Sequence, residues 1–497
     1  MWSIVRSMRS CARRSTKIAT KGKVLMKRIL LLSAFLYFSQ PTLTIAEDLP
    51  VVMHYTLKVQ FALKEQRVNN IATLSIKNTT SKSHTKLPFL LYRLLTVEHV
   101  EDAAGSPLAF KQGIVQLSDE PSLQAREVSV DLHSPLRPND SVTVVLKYGG
   151  FIFGYPEVMA YVKDRIDENY SLLRPDAFAY PQLAEPTFAS ALAANDTKFT
   201  YEVTATVPKG YLVACGGELI DSRTDADSST FTFRSKIRTW RIDIAVAKFA
   251  ALKSSDNKLV VYYLPGDSTG AKRVLDASRD AINLYAGWFG MPKSYKGYSV
   301  IQIPDGWGSQ ASDYYILQAG AAFKDTSRTA EVYHEIGHTW NATASSDVQR
   351  CRYFDEAFAS YFEALAIRSF RGEKAFEDDM KKSRDLFVRW AQYDKQVFDT
   401  PIADYGKKEF GRHSYTKGAW SLYVLNRLVG DSVFFSIIRT MVTEFDGRTI
   451  NFSEFQKLCE GIAKRDLHKF FQEWIYGSES SNRLVDKVAI ADIVSRY

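Results

Sequence analysis

The hydrophobic period of this chain changes once, and the change divides it. From Tyr55 to Phe249 apolar residues alternate with polar ones, as in Leu57-Lys58-Val59-Gln60-Phe61, Tyr201 to Val207 and Phe231-Thr232-Phe233, with Gly, Asn, Asp and Ser clusters between the runs. A period of two with such breaks predicts strands. From about Asp267 the period becomes helical: Val274, Leu275, Ala281, Ile282, Tyr285 and Trp288 share a face, and Gly290 with Pro292 supplies the stop. Tyr298 to Ile303 reads as one more strand, and helices dominate beyond Thr329. The pattern predicts a multidomain chain, an all-β domain over 47–252 followed by an α+β domain over 253–497 that is largely helical at its C-terminal end. With 45% apolar residues, the chain has enough material for two cores.

Within the helical half stands His334-Glu335-Ile336-Gly337-His338, with Glu356 eighteen positions beyond the second histidine. Helix positions four apart lie on one face, so the two imidazoles can meet one ion. Glu356, in a second helical stretch over roughly 352–370, completes a two-histidine, one-glutamate set that leaves a fourth position for water. That donor set predicts one Zn2+ per chain, with Glu335 free to act as a base. Glu363 lies two turns beyond Glu356 and is placed to hydrogen-bond a ligating imidazole from behind.

The chain here resembles the zinc metallopeptidases of the aminopeptidase N and leukotriene hydrolase type. Besides the zinc motif and Phe354-Asp355-Glu356-Ala357-Phe358-Ala359, three further segments are similar to that family in the same order. They are Pro181-Gln182-Leu183-Ala184-Glu185-Pro186, Ser414-Tyr415-Thr416-Lys417-Gly418-Ala419 and Phe470-Phe471-Gln472-Glu473-Trp474-Ile475. The resemblance implies a saddle-like β domain ahead of a thermolysin-like catalytic domain. It also implies hydrolysis of peptide bonds in a peptide or protein substrate, and a role for Tyr415 as donor to the developing oxyanion.

Two departures from the family bear on what is cut. Family aminopeptidases bind the substrate's amino terminus through a glutamate of a Gly-Ala-Met-Glu-Asn segment. The matching residues here are Gly308-Ser309-Gln310-Ala311-Ser312, of which Gly308, Ser309 and Gln310 are candidates for substrate binding, and Ala311 takes the carboxylate's place. A second amine-binding position falls near Leu172, also without charge, while Asp305 and Asp313 flank the segment. One residue fewer than usual separates His338 from Glu356, in the polar loop Asn341 to Arg350, where a deletion is absorbed without moving the ligands. An inactive peptide- or protein-binding relative is the alternative reading, as is hydrolysis of a non-peptide substrate.

Net charge is +8, but residues 1–46 hold nine of the 64 Lys and Arg and none of the 56 acids, leaving 55 basic against 56 acidic residues. Nothing then points to nucleic acid. Met26-Lys27-Arg28, the apolar run Ile29 to Phe38 and the exit Thr44-Ile45-Ala46 have the three regions of a secretory signal peptide behind a basic extension, and the run is short for a stable membrane span. This predicts a secreted or periplasmic protein. Cys215, Cys351 and Cys459 are scattered and form neither a disulfide framework nor a metal motif.

Overall fold

Alternation in the first half produces two antiparallel-rich sheets that share one core. In the computed structural model, which describes residues 49–497, the strand Thr200–Pro208 buries Tyr201, Val203, Ala205 and Val207 and turns the residues between them outward. It lies parallel to Val51–Ala62, which in turn pairs antiparallel with Arg67–Lys77, near the middle of a seven-stranded sheet. A four-stranded sheet built on Glu120–Leu136 and His84–Tyr92 lies against it, and Leu74, Leu146, Phe89 and Val128 belong to their common core. The expected leader, including the signal peptide from Met26, lies outside the described residues.

The second half is organised by a five-stranded mixed sheet, in the order Ala250–Lys253, Leu259–Tyr263, Tyr298–Ile303, Tyr315–Ala319, Gln310–Ser312. The three middle strands run parallel, and the helix Ser268–Phe289 is the crossover between the first two of them. Such strands are covered on both faces. Tyr298–Ile303 accordingly has every residue buried: Tyr298 and Val300 face the helical core, while Ile301 and Ile303 meet Leu172, Ala214 and Ala245 of a small three-stranded sheet. The antiparallel Gln310–Ser312 is left as the sheet's open edge.

Beyond Thr329 the helices close over this sheet, as the helical period predicts. Gly290, at φ +82°, ends the helix Ser268–Phe289, and its carbonyl accepts a 2.7 Å hydrogen bond from Trp340 Nε1. The Tyr285 hydroxyl lies 3.1 Å from the Tyr333 carbonyl and 3.0 Å from that of Phe362, locking two helices together. Among the described residues no helix is long and apolar enough to cross a membrane, and Cys215, Cys351 and Cys459 are free and buried.

One buried cation in this core predicts a pH effect. Lys417 is fully buried, donates from Nζ to Ser481 Oγ at 3.0 Å, and burial lowers its pKa from 10.5 to about 7 against the pull of Glu479. The folded state therefore binds the proton less tightly than the unfolded chain, so stability is lowest below pH 7 and rises between about pH 7 and 10.5. Lys417→Met should stabilise the protein at pH 7 and remove a slope of about 1.4 kcal/mol per pH unit above it. Urea unfolding of both proteins at pH 7 and 9 checks this, and parallel pH dependences would refute it.

Candidate zinc centre

The helix Ala330–Gly337 anchors itself through Val332, Tyr333 and Ile336 and tightens into a narrower turn, His338–Trp340, at its second histidine. His334 and His338 still face one point, their ring centroids 5.0 Å apart. Glu356 arrives from a π-helical turn, Tyr353–Ala357, that leads into the helix Phe358–Arg371. The extra residue in a π turn rotates a side chain off the regular helical face, and such turns gather at functional sites. Glu356 Oε2 stands 3.2 Å from His334 Nε2 and 3.6 Å from His338 Nε2, and one ligand atom from each residue falls within 4.8 Å of the others.

The surrounding bonds suit a cation. Glu363 Oε2 lies 3.3 Å from His334 Nδ1, which sets the tautomer that leaves Nε2 free for a metal. At His338 the Asn341 Nδ2 lies 2.7 Å from Nδ1 and donates to the Asp355 carbonyl at 3.0 Å, tying this ligand to the turn that carries Glu356. Burial opposes ionisation throughout the site, yet Arg352 and the imidazoles hold Glu356 well below the ordinary carboxylate range. Against burial, Glu356 and Glu363 likewise pull His334 well above its ordinary value, the sign of a place that favours positive charge. Burial drives His338 down to about 3, keeping it neutral as a ligand must be. These residues form a site for one zinc ion.

Glu335 shares the zinc helix and is buried. Burial, then the carboxylates of Glu356, Glu331 and Glu363, raise its pKa to about 8 despite His334. Tyr415 sits at the end of the turn Gly411–Tyr415 with its ring stacked on His334, centroids 5.8 Å apart and planes within 6°, and its hydroxyl bonds Glu356. Gly418 permits this approach, since a Cβ there would lie 2.7 Å from that of Ala357 in the π turn. Burial keeps the Tyr415 phenol protonated, hence a donor.

The structure thus brings His334, His338, Glu356, Glu363, Glu335 and Tyr415 together. Gly308 and Ser309 lead into the edge strand Gln310–Ser312 beside the zinc helix, and the side chains of Ser309 and Gln310 are otherwise engaged. Ser309 Oγ accepts from Ala319 N at 3.0 Å. Gln310 Oε1 accepts from Arg174 and Arg241 at 2.7 and 3.0 Å, and its Nε2 donates to Asp176 Oδ1 at 3.0 Å. Ala311 packs against the helical core, and Leu172 is buried opposite Ala245. Asp305 pairs with Lys324 at 3.3 Å and Asp313 with Lys198 at 3.4 Å. Two residues escape a reading of the sequence. Arg352, whose Nη2 donates to Glu356 Oε1 at 2.5 Å, was signalled only by its spacing of four. Asp176, drawn from the β-rich half to Gln310, carries no local signal.

A sequence model of the peptidase family M1 domain matches residues 274–474. The chain is 22% identical over 304 residues to probable aminopeptidase 2 of Sulfurisphaera tokodaii, covering 56% of this chain and 38% of that protein. It is 20% identical over 449 residues to glutamyl aminopeptidase of Rattus norvegicus, covering 85% and 46%. The chain therefore spans less than half the length of these relatives. Among solved structures, the M1 zinc metallopeptidase from Deinococcus radiodurans superposes with a TM-score of 0.63 at 17% identity, covering 87% of this chain and 94% of that one. Native yeast LTA4 hydrolase gives 0.64 at 15%, covering 88% and 70%. Residues 274–474, which hold the two-histidine, one-glutamate centre, thus match the peptidase family M1 domain, on a fold shared with these solved structures.

Proposed function

We propose that this protein is a secreted or periplasmic zinc-dependent metallopeptidase, of aminopeptidase type but without the usual carboxylate for the substrate's amino terminus. The convergence of His334, His338 and Glu356 with a buried Glu335 and the Tyr415 hydroxyl carries this reading. His334, His338 and Glu356 would hold the zinc ion, which would supply Lewis-acid chemistry at this point. Glu335 takes the proton of the attacking water and passes it to the leaving amine. The Tyr415 hydroxyl donates to the carbonyl oxygen as it becomes negative, and the low-dielectric setting strengthens that bond.

The substrate is expected to lie along the open edge Gln310–Ser312, adding a strand through main-chain hydrogen bonds, because the Ser309 and Gln310 side chains are already bonded within the protein. The edge segment itself has no carboxylate for an ammonium, and Asp305 and Asp313 are each paired with a lysine. Asp176 is the carboxylate joined to this strand. Its side chain is 15% exposed, and despite burial it is held ionised by Arg241, Arg174 and Gln310 with a pKa near 2. Two modes of cleavage follow, one in which Asp176 receives the amine and one in which no free amino terminus is needed. Mass spectrometry of products from one peptide, with a free and with an acetylated N-terminus, separates them. Stepwise loss from the free peptide alone marks an aminopeptidase, internal cleavage of both marks an endopeptidase, and no cleavage of either by the zinc-loaded protein overturns the peptidase reading.

A further inference from the structure

The two oxygens of Glu356 are not equivalent. Oε2 is turned toward His334 Nε2 and His338 Nε2, at 3.2 and 3.6 Å, whereas Oε1 accepts from Arg352 Nη2 at 2.5 Å. The arginine is itself anchored, since its Nε donates to Asp355 Oδ2 at 2.6 Å while Asp355 Oδ1 accepts from the Glu356 backbone N–H at 2.7 Å. Arg352 thus spans the carboxylates of residues 355 and 356 with its planar fork, a geometry that a point charge does not reproduce.

Backbone and packing hold the fork in place. Arg352 adopts a left-handed conformation, φ +56°, at the entrance to the π turn, which a non-glycine residue keeps only when its surroundings impose it. Its carbonyl accepts from the Glu356 N–H at 3.1 Å, so the residue is tied to the ligand through main chain as well as side chain. Gly411, on the turn that carries Tyr415, leaves space for its stem: a Cβ there would lie 2.5 Å from Arg350 O and 2.8 Å from Arg352 Cγ.

A carboxylate can give a metal one oxygen or two, and a charge-assisted bond to the second oxygen withholds it. We propose that Arg352 is a positioning residue that restricts Glu356 to single-oxygen ligation and so preserves the fourth position that a hydrolytic zinc site needs open. The inference rests on the zinc-site reading above. It makes the π turn, the left-handed Arg352 and the glycine opposite it parts of one device.

Cobalt(II) in place of zinc tests it, because the visible band of cobalt is intense with four ligands and weakens with five. The full chain, loaded with one cobalt per molecule, is expected to show the intense band. Arg352→Met is expected to keep one cobalt and lose intensity as Glu356 Oε1 joins the metal. Arg352→Lys, which cannot span both carboxylates, is expected to show a partial loss and serves if the methionine variant does not fold. A merely structural role would lower the melting temperature and leave the band of the folded protein unchanged. The wild-type band in whichever variant folds would overturn the proposal, whereas failure of the wild-type chain to take up one cobalt would overturn the zinc-site reading itself.

Discussion

Glu335→Gln is expected to lower kcat by on the order of 10²–10⁴-fold while the chain still binds one zinc, because general acid–base catalysis is lost and the ligand set is untouched. Glutamine keeps the shape of glutamate and resembles its protonated form. It suits a buried position where burial and the carboxylates of Glu356, Glu331 and Glu363 already raise the pKa to about 8. Folding stability should hold or improve for the same reason. Initial rates on a peptide substrate, with metal content measured on the same sample, decide the matter. Wild-type turnover in the variant would remove Glu335 from the mechanism, and loss of zinc would show that it supports the site rather than the chemistry.

The largest expected effect on stability lies at the junction of the two halves. Arg174 is fully buried and donates through Nε and Nη2 to Asp164, through Nη1 to Gln310 Oε1 at 2.7 Å, and through Nη2 to the Tyr161 carbonyl at 2.9 Å. Burial pushes Asp164 up to about 6 even with the guanidinium beside it, so the pair is held by geometry more than by a favourable setting. Arg174→Met should destabilise the protein by about 3–5 kcal/mol, the usual result of stranding a buried partner. Adding Asp164→Leu should recover part of that loss, since an apolar pair leaves nothing unpaired. Urea midpoints for the two single variants and the double variant measure the coupling. An Arg174→Met protein as stable as the wild type would show that Asp164 takes up a proton at little cost. Because Gln310 shares this network, the edge strand Gln310–Ser312 should loosen with it.

Much of this protein is local in origin, and local features can be read along the chain. The switch from period two to a helical period locates the β-rich half and the helical half because each follows from which face of a single element meets the core. The stop at Gly290, the strand Tyr298–Ile303 and the zinc helix belong to this class. So does the pairing of His334 with His338, since a spacing of four is a property of one helix. Glu356 completes the donor set by its chemistry, whereas Tyr415 came within reach only because its segment resembles a family, for nothing in spacing alone links it to a helix so far away in sequence.

What the chain order could not reveal is how side chains from distant elements share one another's hydrogen bonds. Gln310 reads as a residue free to meet substrate, yet Arg174, Arg241 and Asp176 occupy its amide. Asp305 and Asp313 read as spare carboxylates, yet Lys324 and Lys198 face them. Which oxygen of Glu356 is offered to the metal depends on Arg352, Asp355 and Gly411, hence on a π turn and a left-handed residue that no periodicity announces. By itself the sequence determined the two halves of the fold and the donor set of the zinc site, because periodicity and ligand chemistry are carried by short segments. Only the tertiary structure decided which of those polar groups stay free to act, because satisfying a buried charge is a property of the whole packed neighbourhood.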